Sequence, residues 1–180
     1  MFKKTKLSPS DLSAVAISEG PGSYTGLRIG VSAAKGICFP LNIPLIALDT
    51  MHILARKIEC SEGYIVPAID ARRDEIYFAM FQSNNCKIPE LKVKTDTMIL
   101  SSDSFSNYYE TSTVNFVGDC NKKIMQYLNH ENIFFSDYIL PSANEMGVLS
   151  HSKYVKEQFV DVAEFQPKYL KDFGGKKINN

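Results

Sequence analysis

The sequence predicts an α/β fold in two parts, with a boundary near residue 60. Strand and helix patterns alternate before that boundary, which is typical of parallel strands joined by right-handed crossovers. After it, two β-rich runs are separated by a few polar or small residues, which predicts an antiparallel hairpin. With 180 residues, of which 44% are hydrophobic, the chain can bury a core without a metal or a disulfide. We therefore predict a first part at 1–60 and a second part at 61–180.

The first part is expected to contain two strands and two helices. Apolar residues at 12–18 predict a buried strand, and the glycine-rich loop at 19–25 follows it. Helical periodicity covers 26–39, with a serine and a threonine available to cap the first turn. A second buried strand is predicted at 43–48, and a helix runs from there to about Glu59.

The second part opens with the hairpin and closes with a helix. We predict its first two strands at 64–70 and 75–82 and a long helix at 144–158. The Gly- and Lys-rich composition of 165–177 predicts a loosely held tail. Weaker patterns predict short strands or helices at 92–97, 102–109, 113–117, 121–128 and 133–135.

The turn of this hairpin concentrates charge, because Asp70, Asp74 and Glu75 flank Arg72 and Arg73. Paired carboxylates can act as general acid and general base. Charges at a hairpin tip are more commonly solvated and joined in local salt bridges, so we interpret this turn as structural.

The loop at 20–26, Gly-Pro-Gly-Ser-Tyr-Thr-Gly, follows a strand and opens a helix. In that context backbone N–H groups and the helix dipole can receive an anion. The loop matches neither the P-loop, nor the dinucleotide fingerprint, nor the nucleophile elbow. Two interpretations stay open: a tight turn that allows close packing, or an anion-binding loop formed by Gly20, Gly22, Ser23 and Thr25.

The helix at 26–39 carries two neighbouring apolar stripes. One stripe consists of Gly26, Gly30, Ala33 and Ile37, and the other of Leu27, Val31, Ala34 and Cys38. One stripe must pack on the chain's own sheet, and the other is free for a partner helix or a second copy of the chain. We predict that the partner contact is formed by Gly30, Ala33, Ala34 and Ile37.

Composition excludes several classes of function. Equal numbers of basic and acidic residues give a net charge of +0, which provides no general field for nucleic acid. No apolar run approaches the ~20 residues of a membrane span, and the sparse cysteines are typical of a reducing, cytoplasmic setting. We expect no metal site, because ligand-like spacing is absent among Cys38, Cys60, Cys86, Cys120, His52, His130 and His151.

Four segments together resemble the bacterial TsaB (YeaZ) family: AVAISEGPGSYTGLRIGVSAAKG at 14–36, IPLIALDT at 43–50, VPAIDARRDEIYFAMFQ at 66–82 and PKYLKD at 167–172. The resemblance implies the two-lobed α/β fold of the actin/hexokinase/sugar-kinase superfamily. It also implies that the chain lacks the family's N-terminal hairpin and most of its first helix, so that the first lobe is incomplete.

The family implies a function without catalysis. Its members are partners of the ATP-dependent enzyme TsaD and of the ATPase TsaE, which together install threonylcarbamoyl on an adenosine of tRNA. We accordingly expect a scaffold that binds TsaD directly and TsaE indirectly, reaches tRNA only through the complex, and holds no catalytic residue, cofactor or metal. A homodimer is a further option. The alternatives are an ATP-dependent phosphotransferase of the same superfamily and a glycoprotease-like hydrolase.

Overall fold

The structure is a computed structural model that describes residues 7–60, 62–85, 88–138 and 140–170. A short 3₁₀ turn, Pro9–Asp11, precedes the regular elements. These are, in chain order, β1 (Val15–Gly20), α1 (Tyr24–Leu41), β2 (Leu45–Asp49), α2 (Thr50–Ala55), β3 (Glu62–Asp70), β4 (Glu75–Asn84), β5 (Glu90–Ile99), α3 (Ser106–Tyr109), β6 (Val114–Val117), α4 (Asn121–Ile124), β7 (Ile133–Phe135) and α5 (Ala143–Val155).

Two sheets organise these elements. The first consists of the parallel pair β1 and β2, and the second has five strands in the order β5-β4-β3-β6-β7. β3, β4 and β5 pair in antiparallel fashion, whereas β6 runs parallel to both β3 and β7. The predicted α/β class, the parallel strands of the first part and the antiparallel hairpin of the second are all confirmed.

The first sheet has helices on both of its faces. On one face α1 buries Ala34 and Cys38 against Leu45 of β2. On the other face the buried side chains include Ile53 of α2 and Leu149 of α5, packed against β2. The last helix therefore returns to the first sheet, although it belongs to the second part by sequence. The boundary near residue 60 stays a prediction.

The second sheet has its own core and shares another with α2. Aromatic rings fill the core of the sheet, where Phe105 makes edge-to-face contacts with Phe78 and Phe116. A separate cluster joins Met51 and Leu54 of α2 to residues of β3, β4 and β6. Because α2 follows β2 directly, this cluster couples the two sheets.

Several predicted elements differ in length from the observed ones. The predicted strand at 92–97 extends over Glu90–Ile99, because β4 offers it pairing partners along nearly its whole length. The helices predicted at 102–109 and 121–128 shrink to single turns. The prediction of a loose tail is wrong for 165–170. Phe165 packs against the buried cluster around Leu45, and the backbone N–H of Lys168 donates to the carbonyl oxygen of Glu19. Residues 171–177 lie outside the described residues.

Among the residues that the structure describes, every helix is too short or too polar to cross a lipid bilayer.

Candidate functional site

Helix α1 has one face that packs on the first sheet and one that nothing within the described chain covers. Val31, Ala34 and Cys38 are buried, and they mark the packed face. On the opposite side Ile29 is 66% exposed, and both Ala33 and Gly36 are exposed. A Cβ added at Gly36 would meet no atom within 4 Å. We call Ile29, Ala33 and Gly36 the open face of α1.

The structure corrects the predicted contact set on this helix. Ala34 is only 4% exposed and belongs to the core, so its side chain cannot reach a partner. Gly30 is half-buried, and a Cβ there would lie 3.2 Å from the Cδ1 atom of Ile17. Ile37 is also half-buried at the flank. Of the four predicted residues, only Ala33 lies on the open face.

Two residues of the open face, Ile29 and Gly36, were missed by the sequence analysis. Their spacing from Ala33 is itself helical, four residues before it and three residues after it. A helical wheel therefore places Ile29, Ala33 and Gly36 on one face of the helix. This face was hidden because the neighbouring stripes are equally apolar, and apolar character alone does not say which stripe meets the sheet.

A cavity of about 620 Å³ lies where the first turn of α1 meets the end of β3. Its lining includes Gly22, Ser23, Thr25, Asp70, Arg72 and Lys168. Three of the four residues predicted for an anion-binding loop thus face one cavity. The fourth, Gly20, has a packing role: its φ is +115°, and a Cβ there would lie 2.7 Å from the carbonyl oxygen of Lys168.

The hydroxyl of Ser23 already has a structural partner, since it accepts the N–H of Gly26 and caps α1. This contact supports the interpretation of the loop as a tight, capped turn. Cations and carboxylates both line the cavity, and its ability to hold an anion stays a prediction.

A C-terminal strap, residues 160–170, fastens the first turns of α1. Val160 bridges to Leu45 of β2, at the start of the strap. Near its end the ring of Tyr169 lies 5.0 Å from that of Tyr24, and the Nε of Arg28 donates to the Tyr169 hydroxyl at 3.3 Å. The strap thereby positions the end of α1 that borders the cavity.

Charged groups gather at the carboxyl ends of β1 and β2. Asp49 accepts the N–H of Met51 at 2.8 Å and the hydroxyl of Thr95 at 2.7 Å, and it lies 3.5 Å from the Nζ of Lys168. Burial, and secondarily the Asp49 carboxylate, raise the pKa of Glu19. This arrangement links β2, β5 and the strap.

The hairpin tip is salt-bridged, as predicted, but through a lysine that the sequence analysis did not consider. Lys123 of α4 donates to the carboxylate of Asp70 and to the carbonyl oxygens of Arg73 and Glu75, at 2.6 and 3.2 Å. The hydrogen bond from Lys123 lowers the pKa of Asp70. A carboxylate whose ionised form is stabilised in this way is a poor general acid.

Two further titratable groups, Cys120 and His52, are packed in the interior of the described chain. Burial raises the pKa of the Cys120 thiol to about 12, and it lowers the pKa of His52, whose ring lies 4.8 Å from that of Phe81. Within the described ranges, no three His, Cys, Asp or Glu side chains are grouped closely enough to hold a metal ion. Cys86 lies outside the described residues.

The two sheets are joined through α2, and together with the comparisons below they place the chain in the α/β fold of the actin/hexokinase/sugar-kinase type. A solved structure of YeaZ from Pseudomonas aeruginosa superposes with a TM-score of 0.80 at 22% identity, covering 94% of this chain and 78% of that one. The chain belongs to the TsaD family (tRNA N6-adenosine threonylcarbamoyltransferase), whose model matches residues 1–177, and it is similar to the proteins described as TsaB or YeaZ.

Curated relatives carry the description tRNA threonylcarbamoyladenosine biosynthesis protein TsaB. The Bacillus subtilis protein is 37% identical over 93 residues, which is 52% of this chain and 41% of the relative. The Haemophilus influenzae protein is 26% identical over 178 residues, which is 91% of this chain and 72% of the relative. The chain thus spans from two-fifths to under three-quarters of these relatives. The resemblance inferred from the four sequence segments is confirmed.

Proposed function

We propose that this chain is a non-catalytic scaffold in tRNA threonylcarbamoyladenosine biosynthesis and that the open face of α1 binds the catalytic subunit TsaD. The match to the TsaD family and the descriptions of the relatives support the biosynthetic role. The observation that carries the proposal is the open face itself, a strip of apolar and small residues on the longest helix of the described chain.

The chemistry of this face suits a partner helix. Ala33 and Gly36 present almost no side chain, so a second helix can approach closer than the usual separation of about 8–10 Å. Ile29 supplies an apolar side chain, and burying such a group contributes roughly 1.5–3 kcal/mol.

The polar groups around the cavity support a role without catalysis. Ser23 caps a helix, Asp70 is held by Lys123, and Lys168 forms an ion pair with Asp49. Each of these groups already stabilises the fold.

We further propose that the protein works in the cytoplasm, contacts TsaE only through TsaD, and encounters tRNA inside the assembly.

Two helical glycines provide a matched test. A Cβ at Gly36 on the open face, or at Gly147 on α5, would meet no atom within 4 Å, so either site accepts a side chain. Gly36→Arg is expected to weaken TsaD binding at least tenfold, about 1.4 kcal/mol, because a charge enters an apolar seam. Gly147→Arg should bind normally. Sedimentation velocity with TsaD measures binding, and thermal melting checks each fold.

Equal binding by both variants would overturn the assignment of this face. If Gly36→Arg instead breaks a dimer of this chain and leaves TsaD binding intact, the face joins two copies.

The cavity favours a second candidate function, an ATP-dependent phosphotransferase. It brings the first turn of α1, Arg72 and Lys168 to one space, and such groups suit a phosphate. Calorimetry with Mg–ATP, followed by a turnover assay, separates the two candidates. Micromolar binding with turnover supports the phosphotransferase, and absence of both supports the scaffold.

A further inference from the structure

Two adjacent arginines form the exposed turn between β3 and β4. Arg72 and Arg73 have φ values of 69° and 53°, in the left-handed region that long side chains rarely adopt. Asparagine and glycine are the usual residues for such positions in hairpin turns. A turn built from arginines keeps two guanidinium groups at the tip despite an unfavourable backbone conformation. Strain of this kind is often found at functional sites.

The turn is held firmly from behind. Lys123 donates to the carbonyl oxygens of Arg73 and Glu75, and the N–H of Leu100 donates to the carbonyl oxygen of Asp74 at 3.0 Å. These bonds tie the turn to α4 and to the end of β5. The two guanidinium groups are therefore presented from a fixed base, which lowers the ordering cost of binding.

The nearest carboxylates are already engaged by other groups. Asp70 accepts from Lys123 and from the backbone N–H of Arg72, and Asp74 accepts from the hydroxyl of Tyr127 at 3.1 Å. In the part of the chain that the structure describes, neither guanidinium group makes a hydrogen bond or a close salt bridge, although the charge of Arg72 contributes to lowering the pKa of Asp70. Both arginines are exposed at the tip, beside the exposed side chain of Asp74.

We propose that the Arg72–Arg73 turn binds phosphate groups of an RNA backbone, so that this chain contacts tRNA directly within the assembly. The proposal rests on the proposed function, because the net charge of +0 makes binding by the chain alone weak. A guanidinium group donates two parallel hydrogen bonds to a phosphate, and adjacent arginines can engage neighbouring phosphates of one strand.

The repeating anions of a nucleic acid match this pair better than an acidic protein surface, where carboxylates have no fixed spacing. Arg72 lines the neighbouring cavity together with Asp119, whereas Arg73 lies outside that lining.

Salt dependence of tRNA binding by the complex with TsaD tests the proposal. The binding constant for tRNA falls as salt rises. Losing two phosphate contacts in Arg72→Gln/Arg73→Gln should make the slope of log K against log salt shallower by about 1.4–1.8. The control is Lys94→Gln/Lys156→Gln, which removes the same charge from two other exposed positions. Its slope should stay within about 0.3 of the unmodified complex. Equal slopes for both double variants overturn the proposal.

A second variant separates binding from folding. Arg72→Asn/Arg73→Gly suits the left-handed backbone better, so its melting temperature should equal or exceed that of the unmodified chain while the salt slope falls. A purely structural turn would show the gain in stability with no change in slope.

Failure of this proposal can be told apart from failure of the scaffold proposal. If the arginine variants no longer bind TsaD, the turn contacts protein, and the RNA assignment is overturned. If the unmodified chain itself does not bind TsaD, the scaffold proposal fails. The salt dependence of tRNA binding is then measured for the chain without TsaD, over a range of low salt concentrations. Identical slopes for the unmodified chain and the arginine variant reject the RNA contact.

Discussion

The carboxyl group of Glu19 lies half-buried beside Asp49, and burial is the larger of the two causes that raise its pKa above the usual 4.5. Lys153 of α5 and Lys168 of the strap favour its charged form, but burial outweighs them. A carboxyl group with a raised pKa binds its proton more tightly in the folded than in the unfolded state. Ionised Glu19 therefore destabilises the fold above that raised pKa, and the effect vanishes as the pH falls below 4.5.

Glu19→Gln is accordingly expected to raise the free energy of unfolding at pH 7, because the neutral amide loses no solvation of charge. The gain should shrink steadily as the pH is lowered towards 4. Urea titrations at several pH values measure it, with Glu59→Gln as the control at an exposed glutamate. A gain that is constant with pH would show that the charge of Glu19 is not the cause.

At the scale of elements, α1 shows how neighbouring positions on one helix can have opposite roles. Ala33 faces outward, and Ala34 is buried against the first sheet. The same substitution at the two positions therefore separates partner binding from folding.

Ala33→Arg should leave the melting temperature nearly unchanged, whereas Ala34→Arg should destabilise the chain by several kcal/mol, because an unpaired charge would be buried. Circular dichroism melting measures both effects. If Ala33→Arg melted the chain as severely as Ala34→Arg, the open face would belong to the core. Comparable stability for both variants would contradict the packing of α1 on the sheet.

Local patterns predicted the elements better than the contacts between them. The position of α1 and of the hairpin followed from periodicity and turn composition, signals that operate over a few residues. The choice between two equally apolar stripes did not, since it depends on how the helix lies on β1 and β2. The strap was also unpredictable, because the hydrogen bond between Arg28 of α1 and Tyr169 joins residues that are 141 positions apart in the sequence. The lysine that holds the hairpin tip is a long-range contact of the same kind.

Across the molecule, Asp49 is a polar residue that contacts both sheets and the strap. One of its oxygens caps α2, while the other accepts from Thr95 of β5 and faces Lys168 of the strap. The apolar cluster around Met51 couples α2 to β3, β4 and β6 through packing. Because the apolar packing is extensive and the polar contacts of Asp49 are few, removing the Asp49 carboxylate should loosen the strap without separating the sheets.

Asp49→Asn tests this division. Asparagine caps a helix as well as aspartate does, so α2 keeps its cap, but the charge facing Lys168 is lost. That ion pair is partly exposed, and the expected destabilisation is about 1 kcal/mol. Asp49→Ala removes the cap and the bond to Thr95 as well, for a loss of about 2–3 kcal/mol. Urea denaturation measures both losses.

Hydrogen exchange of Asp49→Asn then locates the effect. Amides of the strap and of the first turns of α1 should exchange several-fold faster, because their anchor at Lys168 is weakened, while the central strands β3 and β6 should keep their protection. Uniform acceleration across both sheets would mean that Asp49 stabilises the molecule globally, and the strap would not be a separate unit. If instead only α2 exchanged faster, the capping oxygen would be the part of Asp49 that matters, and the link to the strap would carry little of the coupling.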